Sequence, residues 1–232
     1  MKLAIMQPYF LPYIGYFQLI AAVDRFVVYD NIKYTKKGWI NRNRFLQNGT
    51  DAMFSVPLKK ASDSLDVCER ELAGDFDREK LLNQLNGAYR RAPYFERTFA
   101  LIEKIVHCPE RNLFRFLYSS IVQMCAHLCI NTEITVSSTV AIDHGLQAQD
   151  KVLALCTALG ATNYVNAIGG MELYSKQAFT ERSITLKFIR SLPFEYVQYR
   201  EPFVPWLSIV DVLMFNSPEA VRNCIANNYE LI

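Results

Sequence analysis

Four short stretches of this chain hold side chains whose types and spacing suit chemistry. Asp143-His144-Gly145 sets a histidine among turn residues, where an imidazole can act as general acid or base near neutral pH. The other two histidines, His107 at an expected helix end and His127 inside an apolar helix, read as boundary or core residues. Asp30 and Asn31 follow the apolar run Phe26-Val27-Val28, which places a carboxylate and an amide at the end of an expected strand. Asp30 is the second candidate base, and an Asx turn that only ends the strand is the competing reading. Lys33 to Arg44 (KYTKKGWINRNR) is the densest basic and amide-rich stretch. If Trp39 to Phe45 is extended, Trp39, Asn41 and Asn43 face one way and Ile40, Arg42 and Arg44 the other. Trp39 can then stack a base or sugar, the two asparagines can hydrogen-bond it, and Lys37 and Arg42 can meet phosphates. A solvated basic loop is the plainer alternative. Finally, Asn166-Ala167-Ile168-Gly169-Gly170 puts a glycine pair directly after an expected strand. Asn166, Gly169 and Gly170 there let backbone amides approach an anion.

The element that must position these groups is the amino-terminal stretch MKLAIMQPYFLPYIGYFQLIAA. Leu3 to Met6 suits a buried strand. Pro8 and Pro12 forbid strand or helix through the next six residues. From Tyr13 the apolar residues Ile14, Phe17 and Ile20 take a helical spacing. The reading is strand, structured loop, helix, with the loop at the carboxyl end of its strand, where open α/β sheets bind ligands. Gln7, Tyr9, Tyr13 and Tyr16 are the candidate ligand contacts of that loop, beside a helix start suited to phosphate or carboxylate.

Further along, Arg25 to Asp30 predicts a second parallel strand, and Asn48-Gly49 a hairpin turn ahead of Ala52 to Leu58. A polar stretch from Asp63 to Asp75 is expected to be loop with one short strand. Asp77 caps a helix with the stripe Leu81, Leu82, Leu85 and Tyr89. Two more helices follow, one carrying Phe95, Phe99, Ile102 and Val106, the other running from about Asn112 to Ile130. Thr132 to Thr139 predicts a strand returning to the sheet. Gln149 to Leu159 predicts a helix closed by Gly160, then come strands at Ala161 to Val165 and Ile184 to Phe188. Tyr196 to Tyr199 reads as extended, and Pro202 and Pro205 stiffen the approach to Trp206. Leu207 to Phe215 is a helix whose Asp211 is expected to anchor neighbouring groups, and Ser217-Pro218 starts the last helix. Strand-helix-strand units on both sides of a helical block give a Rossmann-like α/β fold with a mostly parallel sheet. The expectation is one domain over 1–232, with the helical block at about 76–131 and the basic hairpin at about 33–58.

With 51% hydrophobic residues and a net charge of +2 over 232 residues, the chain can bury a large core and carries no strong global field. Nucleic acid is therefore not the expected partner; a small molecule is, and the basic stretch makes it an anionic one. The most apolar long segment, Leu113 to Ile130, contains Arg115, Gln123 and His127, which argues against a membrane span. No signal-peptide pattern opens the chain, so a cytoplasmic location is expected. Six cysteines without a CxxC pair read as reduced thiols, and Cys125, His127 and Cys129 do not share one helix face, so no metal site is expected. No cofactor is indicated, and a homo-oligomer is left open.

MQPYFLPYIGYFQLI resembles the opening signature of the WbqC-like proteins, a bacterial family tied to surface polysaccharide and O-antigen gene clusters. WINRNRF at Trp39 to Phe45, YVNAIGGMELY at Tyr164 to Tyr174 and LSIVDVLMFNSPE at Leu207 to Glu219 fit the same family, so the resemblance runs nearly from end to end. It implies an acyl or aminoacyl (glycyl) transferase acting on a nucleotide-activated amino sugar, with His144 or Asp30 taking the amine proton. Tyr13-Ile14-Gly15-Tyr16 also occupies the place of the HxGH-type motif of nucleotidyltransferase-like (HUP-type) folds, with tyrosines for both histidines. An ATP- or CTP-dependent enzyme of that kind, or a non-catalytic nucleotide-sugar binding protein, are the alternatives.

Overall fold

A computed structural model describes the whole chain, Met1–Ile232. Strand β1 (Lys2–Met6) leads through the proline-rich loop into helix α1 (Ile14–Ala21) and then β2 (Arg25–Val28). A two-stranded antiparallel hairpin follows, β3 (Arg42–Gln47) and β4 (Thr50–Ser55). Its turn is Asn48-Gly49, both with positive φ (54° and 85°), the backbone that these two residue types adopt most readily. The helical block consists of α2 (Arg78–Tyr89), α3 (Phe95–Val106) and α4 (Leu113–His127). Asp77 and Asn112 cap α2 and α4 by accepting from Lys80 N and Arg115 N, which satisfies amides that the first turn leaves free. The chain then returns through β5 (Glu133–Val136), α5 (Ala148–Ala158), β6 (Asn163–Ala167), α6 (Lys176–Thr180) and β7 (Thr185–Ser191). It ends in α7 (Ile209–Phe215), α8 (Pro218–Asn227) and β8 (Tyr229–Leu231).

The main sheet has the order β5-β2-β1-β6-β7-β8, parallel except for β8, which pairs antiparallel with β7. This is a Rossmann-like α/β fold. Strand alternation splits the core into two layers. Leu3, Ile5 and Val27 project to the face covered by α5 and α6, where Leu153, Leu155 and Phe179 meet them. Ala4, Phe26 and Val28 project to the opposite face, under α1, the hairpin and the helical block. From β1 the chain adds β2 and then β5 on one side, and afterwards β6 and β7 on the other. The order therefore reverses between β1 and β6, which are direct neighbours (Leu3 opposite Tyr164). At that point the loop after β1 turns toward the α1 layer, and the segment after β6 turns toward the α6 layer. In open α/β sheets such a divergence marks the place at the carboxyl rim where ligand crevices form.

Several expectations differ in detail. Trp39 to Asn41 is a turn, and the strand begins only at Arg42. The expected strand within Asp63 to Asp75 is replaced by single bridges and a 3-10 turn at Val67–Glu69. Strand β5 ends at Val136, because Ser137 and Ser138 bend away to bind Asp30. Tyr196 to Tyr199 is irregular, and β8 carries no sequence signal beyond three residues. No helix is long and apolar enough to cross a membrane.

Candidate functional site

The loop after β1 is held in an unusual shape. Leu11 has φ 45°, a conformation that a γ-branched residue adopts only when its surroundings enforce it. Two donors do so: Asn43 Nδ2 and Ser208 Oγ both bind Leu11 O, at 2.9 and 2.6 Å. Phe10 N donates to Ile40 O (2.9 Å) and Ile209 N to Pro12 O (2.9 Å). Phe10 and Leu11 are buried as the plug, and the half-buried Tyr9 and Tyr13 face outward beside the buried Pro12. They meet Trp39, Asn43, Arg44 and Trp206 around a groove of about 210 Å³. The chain has two tryptophans, and both stand on this groove with high exposure, 41% for Trp39 and 60% for Trp206. Trp206 also has positive φ (59°), and Arg44 Nη2 holds its carbonyl at 3.2 Å. The Arg44 guanidinium lies 5.6 Å from the Trp39 ring centre, bonds Asp51 through Nη1 (3.3 Å), and leaves Nε buried without an acceptor. The Tyr13 and Trp206 rings meet edge-on at 6.1 Å and separate this groove from a smaller apolar pocket lined by Leu192, Phe194 and Phe203.

Tyr16 lies behind the rim. Its ring packs on Phe17 and Phe26, its hydroxyl donates to Gln7 O (2.9 Å), and burial pushes that hydroxyl well above the ordinary tyrosine range. It supports the loop and keeps the Gln7 carbonyl in place. Tyr9 OH lies 3.5 Å from Gln7 Oε1. Near the end of β6, Asn166 is buried and its Oδ1 accepts from Ala167 N (2.9 Å). A Cβ at Gly170 would stand 2.3 Å from Asn166 Nδ2, so a larger residue there must displace the Asn166 amide. Gly169 has open space around it.

His144 lines a second, polar cleft, and Asp30 does not reach it. Asp30 is buried and accepts from Ser137 Oγ (2.7 Å), Ser138 N (2.9 Å) and Ser138 Oγ (2.6 Å), which ties the end of β2 to the end of β5. Ser137 Oγ also lies 2.7 Å from Asn31 Oδ1, and Asn31 Nδ2 lies 2.9 Å from His144 Nδ1. His144 Nε2 is 3.0 Å from Val140 O. A carbonyl can only accept, so Nε2 carries the proton and Nδ1 accepts from Asn31. Both ring nitrogens are thus engaged. The cleft, of about 610 Å³, is further lined by Tyr29, Lys33, Asp66, Lys151 and Tyr174. Ser175 N donates to Gln149 Oε1 (2.6 Å), tying the segment after Tyr174 to α5.

The basic stretch divides. Lys36 pairs with Asp63 (2.9 Å), Lys37 is exposed, and Arg42 Nε binds Gly38 O (2.8 Å). Asn41 is spent on structure, accepting from Tyr34 OH (2.7 Å) and donating to Val56 O (2.7 Å). Of the sequence candidates, Tyr9, Tyr13, Trp39 and Asn43 come together on the aromatic groove. Gln7 follows β1, and Asn166, Gly169 and Gly170 lie at or just after the end of the adjacent β6, none of them lining the groove or the cleft, whereas His144 lies in the polar cleft. Trp206, Arg44, Lys151, Tyr29 and Asp66 join these surfaces without having been singled out as ligand contacts. Only Trp206, after two prolines, carried a signal that could have marked it.

No solved structure matches the chain. The Mycobacterium tuberculosis chain named "Uncharacterized protein Rv1507c" is 29% identical over 238 residues, covering 96% of this chain and 98% of that one. The sequence model of the WbqC-like protein family matches residues 7–223, from the Gln7 of the rim loop into α8, and the chain belongs to that family.

Proposed function

We propose that the chain is a transferase that moves an acyl or aminoacyl group, the glycyl group first among them, onto the amine of a nucleotide-activated amino sugar for surface polysaccharide. The observation that carries this reading is the reversal of strand order at β1 and β6, which sets the Gln7 loop and the Gly169-Gly170 turn side by side on one rim. An aromatic groove beside the β1 loop and a separate polar cleft beside the end of β2 offer room for two substrates. In this reading Trp39, Tyr13 and Trp206 stack the base or sugar, and Asn43 and Arg44 border it. Lys37 and Arg42 approach the diphosphate. The amine nitrogen attacks the acyl carbon of an activated donor. The N–C bond forms, the bond to the donor's leaving group breaks, and the proton passes to a rim base or to water. No Ser-His-Asp or Cys-His set supports a covalent enzyme intermediate, so attack is direct.

A non-catalytic sugar-nucleotide binder is the second reading. It is favoured by the bonding of Asp30 and His144, since His144 Nδ1 must release the Asn31 amide before it can take a proton. Thermal-shift screening with nucleotides, nucleotide-sugars and glycine, with and without magnesium, followed by a labelled-glycyl incorporation assay, tests both. Nucleotide-sugar binding with incorporation supports the transferase, and binding without turnover for any donor supports the binder. Stabilisation only by a nucleoside triphosphate with metal overturns both in favour of nucleotidyl transfer.

A further inference from the structure

The polar cleft holds two opposite charges that do not pair. Lys151 is 5% exposed, yet its ammonium has one protein acceptor, Asn31 O at 3.0 Å, and lies 5.2 Å from the Tyr29 ring centre. Two of its N–H bonds have no protein partner, a costly state for a buried lysine unless the cleft supplies one. Asp66 lines the same cleft and feels Lys151 through space without forming an ion pair with it. Burial is the main force raising the Asp66 carboxyl, followed by Glu69, while Lys151 pulls it down. The first turn of α5 opens onto the cleft with no side chain capping it. Tyr29 and Tyr174 supply ring faces on the remaining wall, and Lys33 is a solvated cation at the mouth.

Each simple ligand satisfies only part of this arrangement. A phosphate dianion on Lys151 and the α5 amides would face the Asp66 carboxylate across the cleft, and like charges there oppose binding. A lone cation would meet Lys151. A molecule with a carboxylate at one end and an ammonium at the other complements both charges, and about 610 Å³ leaves room for what it carries. We propose that this cleft is a binding site for a zwitterion of the α-amino-acid class, with its carboxylate on Lys151 Nζ and the first amides of α5 and its ammonium on Asp66. Binding is independent of the transferase reading, whose acyl donor must be activated at its carboxyl and so lacks the free carboxylate that this site holds.

The test is calorimetric titration of the intact chain with glycine and L-alanine, against acetate, ethylammonium and inorganic phosphate. The amino acids are expected to bind, with each singly charged analogue and phosphate weaker by about tenfold or more. Asp66→Asn should lower amino-acid affinity by a similar factor and leave acetate no weaker, since a repelling charge is removed, whereas Lys151→Met should remove both. Asp66 is only partly buried, so its variant keeps the test valid if Lys151→Met fails to fold. Trp206→Ala, in the other groove, should bind amino acids normally while losing nucleotide-sugar. Loss of the transferase reading therefore leaves this result untouched. Phosphate binding as tightly as glycine, unchanged amino-acid affinity in Asp66→Asn, or no binding of either amino acid overturns the proposal.

Discussion

Single residues show how polar groups in this chain divide between anchoring and binding. Asp211 is fully buried and accepts from Tyr89 OH (2.8 Å), Tyr196 OH (2.6 Å) and Gln198 Nε2 (2.9 Å), so it fastens the segment before Trp206 to α2 and α7. Desolvation raises its carboxyl above the ordinary 3.8, with the three donors opposing the shift. A folded carboxyl that holds its proton more tightly than the unfolded one contributes stability in full below about 3.8, and loses it as pH rises through the folded value. Asp211→Ala should cost roughly 2–4 kcal/mol at neutral pH by stranding three donors, read by urea melting. The gap between wild type and variant should widen as pH is lowered toward that window. By contrast, Lys37→Ala should weaken binding of an anionic nucleotide-sugar several-fold and move Tm little, since an exposed charge adds little to stability; a large drop in Tm with unaltered binding would assign Lys37 to structure. Among the thiols, Cys129 is exposed, while burial pushes Cys125 and Cys156 up to about 12. Iodoacetamide at mild pH should therefore label Cys129 and spare the other two, as peptide mass mapping would show. The sequence made Asp211 legible as an anchor because a carboxylate on an apolar helix face must find donors. It could not mark Lys151, which sits at a helical position like any surface lysine until the fold brings Tyr29 and Asn31 over it.

At the scale of elements, the loop after β1 and the turn after β6 are each fixed by a neighbour. Asn43→Ala removes one of the two donors to Leu11 O and the acceptor of Arg44 N, and should cost roughly 1–3 kcal/mol while loosening the aromatic groove. Gly170→Ala should distort the Asn166 turn and lower both Tm and ligand affinity, whereas Gly169→Ala should be tolerated. Paired thermal melts and titrations check this contrast; equal behaviour of the two variants would mean that the turn adapts freely. These elements were readable where local chemistry dictates them: prolines ending β1, Asp77 and Ser217-Pro218 starting helices, Asn48-Gly49 closing the hairpin. Alternation misled at Trp39 to Asn41, because Asn41 bonds Tyr34 OH and Val56 O and holds that piece as a turn before β3 begins. Trp39 and Asn43 still reach the same groove, by tertiary packing and not by strand periodicity.

For the whole molecule, the order β5-β2-β1-β6-β7-β8 is the fact from which the rest follows. Sequence gave the strands and the crossovers, but pairing partners at long range have no local signature. The adjacency of β1 with β6, more than 150 residues apart, emerges only when Leu3 is found opposite Tyr164. The same holds for Trp206, held near Trp39 and Tyr13 because Ser208 and Ile209, just after it, bond the rim loop. A crystal structure of the chain soaked with a nucleotide-activated sugar tests the central claim most directly. The account predicts the ligand across the carboxyl rim between Gln7 and Gly169-Gly170, with a ring against Trp39, Tyr13 or Trp206. A ligand bound on another face, with the rim between β1 and β6 empty, would contradict it.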